Sequence, residues 1–69
     1  MVKIKIDEIL KIQGKSRYWL SKQIGMTQNN LANLCNNKTT SIKFTYLEKI
    51  CDALNCKIED IIEIYKIKD

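Results

Sequence analysis

Gln28, Asn29 and Asn33 carry side-chain amides within six residues of one another on a segment whose apolar positions, Leu31 and Leu34, recur at helical spacing. An amide presents a donor and an acceptor side by side. That pair matches N6 and N7 of adenine in the major groove of duplex DNA, so an amide-rich helix surface is chemistry suited to reading base edges. The bland alternative is a solvated face in an Asn-rich chain, and the surrounding charge argues against it. From Ile9 to Leu47 there are six basic residues and no acidic one, so the formal +4 of the 69-residue chain separates into +6 on this span and −2 on the remainder. A surface that meets phosphates needs that polarity, because each neutralised phosphate releases condensed counterions.

Positioning contacts to the DNA backbone outnumber base contacts. Arg17 begins a helix, where its side chain and the helix-terminal amides address a phosphate together. Asn36, Lys38, Thr39, Thr40 and Lys43 follow the amide-rich helix and can grip the backbone on its other side. Any one of these lysines could equally be a solvated surface charge. Lys15 and Lys22 are weaker candidates, and Asn30 faces either a phosphate or solvent.

Other chemistry is absent from the pattern. The chain has no His and no Gly-rich phosphate loop, and its carboxylates cluster near helix starts towards the two ends, which speaks against an enzyme. No cofactor and no small-molecule site are implied. Cys35, Cys51 and Cys56 have no close paired spacing and no His to complete a ligand set, so no metal is expected. Cys51 and Cys56 fit apolar positions of the fourth and fifth helices as reduced structural residues; Cys35 reads as the most exposed of the three. No run is long and apolar enough to span a bilayer and no leader pattern is visible, which predicts a cytoplasmic protein.

The elements that must position the amides follow from apolar periodicity and capping. A chain of 69 residues with 45% hydrophobic residues supports one small domain, residues 1–69. A first helix is predicted from Ile6 to Gln13, with Ile6, Ile9 and Leu10 inward, Asp7 and Glu8 in its first turn and Gly14 as its stop. Ser16 caps a second helix, Arg17 to Ile24, which Gly25 ends. Thr27 caps the third, Gln28 to Asn36. After a polar loop, Asn37 to Lys43, the residues Phe44, Leu47, Ile50, Cys51 and Leu54 define a fourth helix ended by Asn55. Ile58, Ile61 and Ile62 mark a short fifth. Val2 to Ile6 and Ile64 to Lys68 are β-branched and largely alternate with Lys, which suggests short strands that pair with each other; frayed termini are the competing reading.

These residues resemble the phage-repressor and Cro type of helix-turn-helix DNA-binding domain. The resemblance covers nearly the whole chain and rests on Leu20, Ser21, Gly25, Leu31 and Leu34, on Thr27-Gln28 opening the recognition helix, on Asn36-Asn37-Lys38-Thr39, and on Leu47-Glu-Lys-Ile-Cys-Asp-Ala-Leu-Asn-Cys56. Ser21 stands where the family usually has Ala, and Asn37 where it has Gly. The resemblance implies an all-α, five-helix repressor-like fold and a sequence-specific DNA-binding transcriptional regulator, a repressor of the small stand-alone bacterial kind. In that motif Gln28 and Asn29 lie at the end of the helix that enters the groove, and Asn33 one turn along. Double-stranded DNA is the implied partner. A homodimer is expected on it, sharing a surface formed by Ile58, Ile61, Ile62, Ile64, Tyr65 and Ile67; pairing of the two ends within one chain is the alternative. A different class stays open: a helix-turn-helix module serving protein interaction, as an antitoxin-like partner or adaptor. Trp19 also keeps two readings, packing with Tyr18 and the first helix or a contact for another protein.

Overall fold

The computed structural model describes residues 1–66, in the order β1 (Val2–Ile4), α1 (Ile6–Gln13), α2 (Arg17–Ile24), α3 (Gln28–Cys35), α4 (Phe44–Leu54), α5 (Ile58–Ile61) and β2 (Ile62–Ile64). Each helix of the motif begins and ends for a local reason. Ser16 Oγ accepts from the Trp19 amide at 3.0 Å and Thr27 Oγ1 from the Asn30 amide at 3.2 Å, so both caps satisfy donors that lack a partner inside the helix. Gly14 (φ 68°) and Gly25 (φ 71°) close α1 and α2 in the left-handed region, where a side chain would be strained.

Two asparagines do the same work elsewhere. Asn55, at φ 51°, ends α4, and Asn37, at φ 61°, follows the C-cap of α3. At the latter turn the Asn37 amide donates to the Leu34 carbonyl at 3.1 Å and the Lys38 amide to the Asn33 carbonyl at 2.8 Å, the paired bonds of a Schellman stop. Glycine would make this turn with less strain, but it could not supply Oδ1, which accepts from the Ile4 amide at 2.7 Å and ties the end of α3 to β1. The departure from Gly at position 37 thus has a structural use.

The core is one apolar cluster in which Ile6, Leu20, Ile24, Leu31, Ile50, Leu54 and Ile61 are essentially inaccessible to water. α2 packs against both α3 and α4. Ser21 is buried on α2, and its hydroxyl donates to the Tyr18 carbonyl at 2.7 Å, so the polar atom carries no unmet bond into the core. Gln13 Nε2 donates to the Leu54 carbonyl at 2.8 Å and binds the end of α1 to the end of α4.

The ends of the described chain form an antiparallel ribbon within one molecule, with Val2 opposite Ile64, Lys3 opposite Glu63 and Ile4 opposite Ile62. Ile62 belongs to this ribbon and not to the fifth helix. Opposite Ile4 it packs on the core and takes part in the ladder, whereas one more helical residue would forfeit both. The second strand starts and ends earlier than Ile64 to Lys68; Ile67 and Lys68 of that expectation lie outside the described residues. Phe44, expected on the apolar side of α4, is 86% exposed because the first turn of that helix projects beyond the core, which begins at the half-buried Leu47. Cys56 sits in the turn between α4 and α5, half-buried, not on α5.

Candidate nucleic-acid interface

The turn from α2 to α3 carries the candidate reading residues. Gly25 reverses the chain, Thr27 caps, and α3 opens with Gln28 and Asn29 exposed while Leu31 and Leu34 anchor the opposite side in the core. Asn33 is half-buried on the next turn. Gln28 and Asn29 thus lie on the solvent-facing part of a helix whose inward side is fixed, with Asn33 at its edge, an arrangement able to place donor–acceptor pairs against base edges. No acidic residue lies in the first turn of α3, so nothing there opposes an approaching phosphate backbone.

The candidate backbone contacts fall into two groups. Lys38, Thr39 and Thr40 are exposed on the loop after the Schellman stop, and Lys43 is the N-cap residue of α4. That helix has neither a side-chain cap bond nor an acidic residue in its first turn, and with the Tyr46 amide already donating to the Lys43 carbonyl at 3.0 Å, the Phe44 and Thr45 amides are left to an outside acceptor. Lys43 and Thr39 share with Asn30, Ser41 and Tyr46 the rim of a surface cavity of about 220 Å³, floored by Met26, Leu34 and Ile42. Thr40 lines an adjoining second depression between the loop and the ribbon.

Arg17 and Asn36 form the other group, and here the structure adds a residue that the sequence reading left out. Arg17 Nε and Nη2 donate to the two carboxylate oxygens of Asp7 at 2.9 and 2.5 Å, and Nη2 also donates to Asn36 Oδ1 at 3.0 Å. The Arg17 hydrogen bonds hold Asp7 below the ordinary carboxylate range and push the guanidinium pKa further up. The stability that Asp7 contributes is complete above its ordinary value of 3.8 and is lost as pH falls through its lower folded value. The acid-free span in sequence is therefore not acid-free in space, because α1 brings Asp7 against the start of α2.

Lys15 lies 3.8 Å from the centre of the Trp19 ring and Lys22 5.2 Å from that of Tyr18, so both ammonium groups sit over aromatic faces. Trp19 is half-buried and packs on the core cluster. Cys35 is not the exposed cysteine: it is 7% accessible, and burial first, then the nearby Asp7 charge, push its thiol up to about 11. The spacing Leu31, Leu34, Cys35 is itself an inward stripe and already carried that signal. No group of three or more His, Cys, Asp or Glu side chains able to hold a metal occurs among the described residues.

Five short helices with a capped, Gly-turned α2–α3 unit and a small ribbon define a helix-turn-helix domain. The chain belongs to the Cro/C1-type HTH DNA-binding domain family, which it matches over residues 5–66, and that is a DNA-binding family and not an enzyme family. It is 39% identical over 66 residues to the uncharacterized HTH-type transcriptional regulator YozG of Bacillus subtilis strain 168, covering 96% of this chain and 79% of that protein. In structure it is similar to a crystallised Bacteroides fragilis protein to which DNA binding has been ascribed, with a TM-score of 0.80 and 25% identity over 91% of this chain and 100% of that one.

Proposed function

We propose that residues 1–69 work as one sequence-specific DNA-binding domain of a transcriptional regulator, a repressor that occupies its operator and reads the major groove with the helix from Gln28 to Asn36. The observation that carries this reading is the pairing of exposed amides at the start of α3 with a basic surround on a fixed helix-turn-helix frame. Gln28, Asn29 and Asn33 read bases, while Arg17, Asn36, Lys38, Thr39, Thr40 and Lys43 hold the backbone. The YozG likeness supports the regulatory role. Such a protein acts in the cytoplasm, where the DNA is.

Two copies meet one operator in this reading, since a single recognition helix reads only a few base pairs and specific sites of this motif pair two helices about one DNA turn apart. Of the surface expected to be shared, Ile61 is fully buried and Ile62 packs on the core, Ile67 lies outside the described residues, and the exposed Ile58, Ile64 and Tyr65, with Val2 of the ribbon, supply the apolar surface for that pairing. The interaction-module alternative predicts only weak association with duplex DNA and no preference among duplex sequences. A titration at low salt on several duplexes separates the two. Binding to duplex DNA should fall steeply as salt rises, with a log–log slope of about −0.9 for each phosphate neutralised. Absence of duplex binding at low salt by the folded protein would remove the regulator reading.

A further inference from the structure

Asp7 presents a negative charge beside residues meant for phosphate, and Coulomb's law alone makes it a liability. Its geometry says otherwise. The carboxylate occupies the Nε and Nη2 edge of Arg17, the second Nη2 hydrogen goes to Asn36 at the end of the recognition helix, and the two N–H groups of Nη1 have no protein partner among the described residues. The Arg17 side chain remains 38% exposed. A guanidinium gripped along one edge has its plane and direction set, and its remaining donors point away from the carboxylate.

We propose that Asp7 is a positioning residue for DNA binding: with Asn36 it holds the Arg17 guanidinium so that the free Nη1 edge meets a backbone phosphate, the cation lying between two anions. The proposal rests on the DNA-binding reading above and deepens it at one site. An unrestrained arginine must lose its rotamer freedom when it meets a phosphate, whereas one already clasped has lost it in the free protein. Because Asn36 ends α3, the clasp also ties the phosphate contact to the position of the reading helix.

The test is a double-mutant cycle on duplex affinity and its salt slope, with thermal unfolding followed alongside so that all variants are compared while folded. Charge alone predicts that Asp7→Asn binds DNA more tightly. The clasp predicts the opposite sign, a weakening of roughly tenfold, as for loss of a hydrogen bond to a charged group. Arg17→Gln should weaken binding at least as much and lower the salt slope by about one unit. In the Arg17→Gln background, Asp7→Asn should then cost nothing further. Arg17→Lys keeps the charge without the fork and should fall close to Arg17→Gln, which tests the clasp even if Asp7→Asn fails to fold. The proposal is overturned if Asp7→Asn binds as tightly as wild type or more so, if it weakens binding equally in both backgrounds, or if Arg17→Lys matches wild type. A wild type that does not bind duplex DNA removes the underlying reading; wild-type binding with Asp7→Asn undiminished removes the clasp alone.

Discussion

Leu31→Ala is expected to unfold most of the population near body temperature and to abolish DNA binding with it. Leu31 is completely buried on α3 and belongs to the cluster that joins it to Leu20 and Ile24 of α2. Truncating a buried leucine costs about 2–5 kcal/mol through lost transfer energy and the cavity left behind. A single small core of this size supplies roughly 3–5 kcal/mol of net stability, so the loss is comparable with the whole. Phe44→Ala is the matched control. At 86% exposure its removal leaves the core untouched, and its effect should stay within about 0.5 kcal/mol. Urea denaturation followed by helical circular dichroism measures both, and a Leu31→Ala midpoint equal to wild type would show that α3 is not anchored as described.

The second large effect separates reading from holding. Gln28→Ala or Asn29→Ala should leave the fold intact, since both side chains are exposed in the first turn of α3 and neither carries the cap bond, which Thr27 makes to the Asn30 amide. Each should cost about 1–3 kcal/mol on the preferred duplex and little on random DNA, because a lost amide pair is felt only where an adenine edge was being recognised. Lys38→Ala should weaken binding to both duplexes by a similar factor and reduce the salt slope by about one. Competition titrations on a preferred and a scrambled duplex decide the matter. Equal losses on the two duplexes for all three variants would take the reading role away from the amides.

The helices were legible because their punctuation is local. Ser16, Thr27, Gly14, Gly25 and Asn55 each fix a boundary through bonds or backbone angles within a few residues, and α1 and α2 fall where those residues place them. The β-branched, Lys-alternating ends allow the ribbon pairing, and its register follows from setting Ile4 and Ile62 on the core. What escaped depends on tertiary approach. Asp7 and Arg17 are ten residues apart on different helices, and no periodicity signals that they meet. Ile58, Ile61 and Ile62 share a helical spacing that points Ile62 to the helix, yet one more residue on a four-residue helix forfeits the ladder partner and core contact that the strand supplies. Phe44 is misplaced by periodicity for a related reason, since periodicity states which side of a helix is apolar but not where along its axis the core ends.

The central claim, that α3 reads sequence in duplex DNA, is tested most directly by repeated selection of bound duplexes from a random pool at near-physiological salt. The account predicts a recovered motif containing adenines at the positions faced by Gln28 and Asn29, occurring as two half-sites about one helical turn apart. Recovery of bound duplexes with no enriched motif, by a protein shown to be folded, would contradict it.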